Sequence, residues 1–303
     1  MDGILPVYKE TGMTSHDVVF KLRKILRTKK IGHAGTLDPS VDGVLPIAIG
    51  KATKTIEFLQ MGGKTYTGSV TFGFATTTED LDGDVISYEP LKTPFTDEQI
   101  ADAMAGLEGD IIQIPPMFSA VKVNGRRLYD YARAGETVER PKRNATIFHF
   151  IRTSDVVFDA EKGLQTFNFE AKVSKGTYIR TLAVDLGEAL GVPAVMSQLT
   201  RQSAGGFELA ESHSLAEIAD KMAEEESLGD WLAPLSQAVA EYPQVELDDE
   251  TWAKAQNGVG FGSEVDDTKA DRLVVTYKGD VKSVYTWSDS KQMYRPYRTF
   301  KIN

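Results

Sequence analysis

The residues whose types and spacing could do chemistry are densest in one stretch, Lys30-Ile31-Gly32-His33-Ala34-Gly35-Thr36-Leu37-Asp38-Pro39. A carboxylate such as Asp38 can attack a carbon and later leave it. Asp-Pro is equally a turn former, and the residue types alone leave both readings open. Other candidates fail their own requirements. Gly50-Lys51-Ala52 invites a phosphate-loop reading, but that loop needs four residues between its glycines and Ser or Thr after the lysine. Here six residues separate Gly43 from Gly50, and Ala52 follows. Asp80-Leu81-Asp82-Gly83-Asp84 resembles the start of a calcium loop, yet Leu91 stands where the bidentate Glu is required. His16, His33, His149 and His213 show no metal-ligand spacing. There is no Gly-x-Ser-x-Gly elbow, and no cofactor fingerprint survives.

These residues must be positioned by regular elements. Thr14 or Ser15 can N-cap a helix with Val18, Val19, Leu22, Ile25 and Leu26 on one face and Lys/Arg on the other. Gly32 to Gly50 reads as loop-rich, with glycines at 32, 35, 43 and 50 and prolines at 39 and 46. Residues 64–73 alternate like a strand, placing Tyr66, Gly68, Val70 and Phe72 on one face. Thr96 opens a second helix. Residues 146–158 and 164–175 read as paired strands around Glu161-Lys162-Gly163, and 179–190 as an apolar helix stopped by Gly191 and Pro193. The acidic segment 213–227 reads as a surface helix. After Pro234 the pattern turns to short strands at about 264–266, 272–278 and 281–287, with a turn at Lys278-Gly279-Asp280. This divides the chain into residues 1–237 and a small β-rich C-terminal domain, residues 238–303.

The 303 residues are 41% hydrophobic and 26% charged, the balance of a soluble globular protein. The absence of cysteine excludes disulfides and thiolate zinc sites and fits a reducing cytoplasm. The N-terminus shows no basic leader or apolar core of a signal peptide, and no apolar run approaches the roughly 20 residues of a membrane span. The net charge of −10 argues against a polyanionic partner until its distribution is considered. Residues 211–250 carry twelve acidic side chains and one lysine, which leaves 33 basic and 32 acidic residues elsewhere. Lys21 to Lys30 holds six Lys/Arg and no acid, and Lys122 to Arg143 holds seven against three acids. Such clusters can neutralise phosphates and release counterions. A solvated helix face and a solvated loop would have the same composition.

Residues 32–39 match the Gly-His-x-Gly-Thr-Leu-Asp-Pro motif of the TruB family of tRNA pseudouridine synthases, and the sequence resembles that family from there in both directions. Gly43-Val44-Leu45-Pro46-Ile47 and Gly50-x-Ala52-Thr53-Lys54 continue the motif. Gly3 and Lys9-x-x-Gly12-x-Thr14-Ser15 fit the family's opening. Lys64-x-Tyr66, then Thr76, Thr78, Asp80 and Gly83, then Gln113 to Gly135 follow in order. Lys175-Gly176-Thr177-Tyr178-Ile179-Arg180, Leu199-Thr200-Arg201 and Gly206-Phe207 complete a resemblance over about residues 1–210. Three positions depart from it: Glu10 replaces a usual Pro, Val41-Asp42 a usual Ala-Thr, and Thr77 a common Asp. They touch loop geometry rather than the residues assigned chemistry.

The resemblance implies an α+β catalytic domain with a mixed, largely antiparallel sheet, plus a small PUA-like β domain. It implies cofactor-free isomerisation of uridine 55 in the T loop of tRNA, with the target base flipped out. Asp38 is then the nucleophile. Arg180 pairs with it and keeps it ionised by lowering its pKa, and Tyr66 stacks on the uracil and assists removal of the C5 proton. His33 holds the unstacked RNA loop, Tyr178 and Leu199 line the base pocket, Lys9 buttresses the active-site loop and Asp80 orders its own loop. The segment 122–143 is the expected RNA-clamping insertion. The partner is the T arm and elbow of tRNA, with no membrane, no obligatory protein partner and a monomeric state. Two rivals share the fold: a tRNA-folding chaperone whose chemistry is secondary, and a guide-RNA-dependent sister synthase. The second usually carries longer basic extensions, which this chain lacks.

Overall fold

The strand Lys64–Phe72 lies inside a ten-stranded sheet because its alternation sets Tyr66, Gly68, Val70 and Phe72 on one face. The computed structural model describes residues 1–224 and 227–300. The main path of the sheet runs Gly3–Lys9, Asp42–Ile49, Ala194–Ala204, Lys64–Phe72, Leu164–Val173, Arg143–Arg152, Gly109–Gln113. Every neighbouring pair on it is antiparallel except Asp42–Ile49 with Ala194–Ala204. On one face Tyr66, Val70 and Phe72 join Phe167, Phe169 and Met196. They pack against Ile100 and Met104 of the helix Asp97–Ala105 and Leu182, Ala183 and Leu186 of the helix Ile179–Leu190. Each such side chain contributes about 1.5–3 kcal/mol when fully buried. The second helix ends as expected: Gly191 adopts φ 75° and supplies the left-handed cap.

The other end of the sheet is covered on both sides. The helix Ser15–Ile25, capped by Thr14 with Asp17 returning the bond, sets Val18, Val19 and Leu22 on Leu5, Val7, Leu45 and Ile47. The acidic segment forms the helix Leu215–Ala223, capped by Ser214, and buries Ile218 in the same cluster. Glu225 and Glu226 of that segment lie outside the described residues. On the opposite side Ile4, Val44 and Ala48 meet Phe58, Val239, Val274, Val284 and Phe300, so residues on both sides of position 238 share one apolar cluster.

Two expectations need correcting. Gly32 to Gly50 is not mainly loop: Ile31–His33 and the eight-residue Asp42–Ile49 are strands. Val44 to Ile49 is buried on both faces and so shows no alternation. Pro46 is tolerated because it faces Pro6 across the ladder, and neither is asked for an N–H. Their carbonyls point outward instead, Pro46 accepting from the Ala34 N–H at 2.9 Å and Pro6 from His213 at 3.1 Å. In the C-terminal part, residues 264–266 form no strand; 263–265 are a turn. The four-stranded sheet there is built from Gln244–Glu246, Leu273–Tyr277, Asp280–Ser288 and Met293–Thr299. Met293–Thr299 escapes pattern reading because it is an edge strand carrying Arg295, Pro296 and Arg298. The segment 122–143 contains a small hairpin, Lys122–Val123 with Arg126–Arg127, and the helix Leu128–Arg133.

The parallel contact that brings Asp42–Ile49 beside Ala194–Ala204 depends on one glycine. Gly43 pairs with Arg201 at φ 117°, and a Cβ there would lie 2.3 Å from the Arg201 carbonyl oxygen. Gly43→Ala is therefore expected to lose about 2 kcal/mol or more of stability. Urea unfolding monitored by circular dichroism checks this; an unchanged midpoint would show that the two strands can separate freely.

Candidate active site

Asp38 sits on the turn between Ile31–His33 and Asp42–Ile49, and three anchors hold that turn. The Ser15 hydroxyl accepts from the Leu37 N–H at 2.9 Å and lies 3.3 Å from the Leu37 carbonyl. The Gly12 N–H donates to the Pro39 carbonyl at 2.8 Å. Lys9, wholly buried, donates to the Val41 carbonyl at 2.6 Å and the Glu10 carbonyl at 3.0 Å. Burial lowers the Lys9 pKa, while Asp42 and Asp38 pull it back up. Asp42, one of the departures noted above, accepts from the Tyr8 hydroxyl at 2.9 Å, and Glu10 contributes only its carbonyl to Lys9.

Arg180, in the first turn of the helix Ile179–Leu190, reaches Asp38 from the other side, Nη2 to Oδ2 at 3.2 Å. The guanidinium is buried, and each of its three nitrogens has a partner. It donates to the Thr78 carbonyl at 2.8 Å and the Phe118 carbonyl at 2.9 Å, and its Nε lies 3.7 Å from the Asp80 carboxylate. Asp80 is itself buried, accepting from the Thr78 hydroxyl at 2.5 Å and the Asp82 N–H at 3.0 Å. Gly83 closes this loop, where a Cβ would lie 2.5 Å from the Thr78 hydroxyl. The Asp38 side chain keeps 41% of its exposure because it faces an open cavity.

That cavity measures about 310 Å³, at the small end of ligand pockets. Asp38, Tyr66, Tyr178, Arg180 and Leu199 all line it, together with Lys64, Lys175 and Arg201. His33, expected to bind substrate, is not in the lining. Its ring packs edge-on against His16 at 5.3 Å, with Nδ1 buried and unpartnered, and burial lowers its pKa. Its short strand points it toward the Ser15–Ile25 helix rather than into the cavity. The electrostatics at Asp38 also differ from expectation. Desolvation raises its pKa, and Arg180 opposes this but does not reverse it, because Asp80 and Asp82 add like charge.

Two family models match the chain: the TruB family pseudouridylate synthase N-terminal domain at residues 23–179, and the tRNA pseudouridylate synthase B C-terminal domain at residues 180–240. The chain belongs to the TruB family of pseudouridylate synthases. Its relatives include tRNA pseudouridine synthase B of Levilactobacillus brevis, 55% identical over 100% of both chains. The protein of the same name from Latilactobacillus sakei is 54% identical over 100% of this chain and 99% of that one. A crystal structure of a Cbf5-Nop10-Gar1 complex superposes with a TM-score of 0.73 at 25% identity, covering 99% of this chain and 85% of that one. An H/ACA RNP bound to a substrate RNA containing 2′-deoxyuridine gives a TM-score of 0.72 at 23% identity, covering 99% and 85%, and shares the fold. The α+β architecture with a largely antiparallel sheet is thus that of the family.

Sequence reading gave no role to two residues that line this TruB-family cavity, nor to one that supports it from behind. Lys64 and Arg201 are buried in its wall. Gln113 holds the peptide of Tyr178: its carbonyl accepts from the Tyr178 N–H at 2.9 Å, and its amide donates to the Tyr178 carbonyl at 3.3 Å and to Asp185 at 3.4 Å. A buried glutamine in Gln-Ile-Pro-Pro was the available signal, but its partners are 65 and 72 residues away. Burial pushes the Asp185 carboxyl up to about 6, against which Gln113 pulls weakly. Ionising Asp185 therefore costs stability; the cost is absent below the unfolded value near 3.8 and complete above about 6. Asp185→Asn is expected to stabilise the protein by about 1–2 kcal/mol at pH 8, allowing for the residue's partial exposure, and by nothing near pH 3.5. Melting temperatures of the two proteins across that range check the sign.

Proposed function

We propose that this TruB-family enzyme isomerises uridine 55 in the T loop of tRNA to pseudouridine, with Asp38 as the nucleophile. The observation that carries the reading is the Asp38 carboxylate, bridged to Arg180 at 3.2 Å and open to a nucleoside-sized cavity. The relatives' shared activity on tRNA supports the substrate.

The reaction breaks the N1–C1′ bond, turns the base and joins C5 to C1′. The proton lost from C5 is matched by one gained at N1, so no redox partner or cofactor enters the balance. Asp38 bonds to a carbon of the nucleoside and later departs, holding the fragments together while the base turns. Arg180 fixes the carboxylate's direction through its bonds to Thr78, Phe118 and Asp80, which leave the guanidinium little freedom. Tyr66, in the cavity wall, stacks on the uracil and assists removal of the C5 proton. Leu199 and Tyr178 complete the base pocket. Lys9 and Asp80 act behind them, on the turn and on the arginine. His33 acts outside the cavity, against the RNA loop that the base leaves.

A cavity of this size admits one nucleoside, not a stacked pair, so the base must be extruded. Extrusion costs a few kcal/mol, and one aromatic returns roughly 1–3. The exposed cations of Lys21 to Lys30 and of the 122–143 arm supply the remaining binding energy through phosphates. In this reading residues 1–237 are the catalytic unit, 238–303 a β unit beside it, and the enzyme works as a cytoplasmic monomer. No helix among the described residues is long and apolar enough to cross a membrane.

Asp38→Asn is expected to bind the T-arm stem-loop within about threefold of the wild type and to form no pseudouridine, read by chemical tagging of the modified base. Because the carboxylate must be ionised and its pKa is raised, wild-type kcat/KM falls on the acid side at a pH above the usual Asp value. Turnover by the Asn variant would remove the nucleophile assignment.

A further inference from the structure

The cavity lining holds cations of two different characters. Arg180 is neutralised by Asp38 and Asp80. Lys64 and Arg201 are buried, 8% and 1% exposed, and their bonds go only to carbonyls. Lys64 donates to Gln60 at 3.1 Å and Gly62 at 3.2 Å; Arg201 donates to Val44 at 2.8 Å and Gly35 at 3.3 Å. Among the described residues neither pairs with a carboxylate. Two buried cations without an anion are costly; Lys9 is buried in the same way, but it is used on the backbone of the Asp38 turn, whereas Lys64 and Arg201 line the cavity.

We propose that Lys64 and Arg201 form a phosphate subsite that seats a backbone phosphodiester flanking the extruded uridine. The inference rests on the function proposed above and adds a specific contact to it. A neutral uracil could accept hydrogen bonds from these groups, but only an anion offsets their charge, and the substrate's anions are its phosphates. Gly35 lies between the two: a Cβ there would come 3.4 Å from Arg201 Nη1 and 3.8 Å from Lys64 Cε, so the absence of a side chain keeps the approach clear. Lys175, exposed at the rim, extends the positive track outward. Asp38 and Arg180 hold the reacting end, and the subsite would fix the backbone while the base turns, which makes Lys64 a positioning residue.

Titration gives the subsite a second signature. Burial lowers the Lys64 pKa to about 8, helped by repulsion from Arg201 on the neighbouring strand and from Lys175 on the 174–177 turn. The other ionisable groups around the cavity are Asp38, Tyr66, Tyr178 and Arg180, with His33 behind Arg201. Lys64 binds phosphate when protonated, so kcat/KM should fall as pH rises through about 8 in the free enzyme.

The test uses the full-length protein and a T-arm stem-loop RNA carrying one neutral methylphosphonate, placed either 5′ or 3′ of the target uridine. For the wild type, one of the two positions is expected to weaken binding and kcat/KM by about tenfold or more, the other much less. For Lys64→Met, unmodified RNA should show that loss already, the sensitive methylphosphonate should add less than about twofold, and the fall above pH 8 should vanish. Circular dichroism and melting temperature establish that the variant is folded. If neither methylphosphonate weakens the wild type, or if the two losses multiply in the variant, the subsite is overturned. Normal turnover with no phosphate effect would sink the subsite and spare the synthase reading. A phosphate effect on binding without any turnover would do the reverse.

Discussion

The guanidinium of Arg180 is the fixed point around which the cavity is arranged. It lies between two carboxylates, Asp38 and Asp80, and spends its remaining donors on the carbonyls of Thr78 and Phe118. Those four partners come from three separate segments of chain. A planar, permanently charged group with donors in a fixed fork can align such segments where a flexible ammonium could not. The Thr76–Gly83 loop, the 118–120 segment and the Asp38 turn are therefore mutually registered through one side chain. The helix that carries Arg180 is anchored on the sheet by Leu182 and Leu186.

The same arrangement has an electrostatic cost. A carboxylate next to an arginine is ordinarily driven toward ionisation, yet the Asp38 pKa is raised. Desolvation by the cavity walls outweighs the single guanidinium, which is shared with Asp80. The carboxylate therefore keeps part of its surface open to the cavity while the surrounding walls raise the cost of its charge. Elsewhere in the lining the pattern recurs with the other sign: Lys64 and Arg201 are buried there with no carboxylate partner among the described residues.

Behind the cavity, the turn bearing Asp38 is held by polar groups rather than by apolar packing alone. Lys9, Ser15 and Gly12 supply bonds to its backbone from the first strand and the start of the first helix. The departures at Glu10 and Asp42 are absorbed there: one offers a carbonyl to Lys9, the other a carboxylate to Tyr8. Gly43 then lets the next strand approach Arg201 closely enough to bring the Asp38 turn and the Leu199–Arg201 strand to one cavity.

Much of this was legible in the residues. The caps at Thr14 and Thr96, the stop at Gly191 and the alternation of 64–72 are local and depend on neighbours within a few positions. The ordered motifs from Lys9 to Phe207 identified the family and named five of the side chains that line the cavity, Asp38, Tyr66, Tyr178, Arg180 and Leu199, because chemistry constrains residue type tightly there. Tertiary structure decided what depends on distance and burial. Asp42–Ile49 is a strand because both its faces are covered, which removes the periodicity a strand would display. Met293–Thr299 pairs at an edge despite its charges and proline. His33 lies outside the cavity because its strand directs it toward His16. The direction of the Asp38 shift and the unpaired state of Lys64 and Arg201 follow from which atoms surround each charge, a quantity that no spacing along the chain contains.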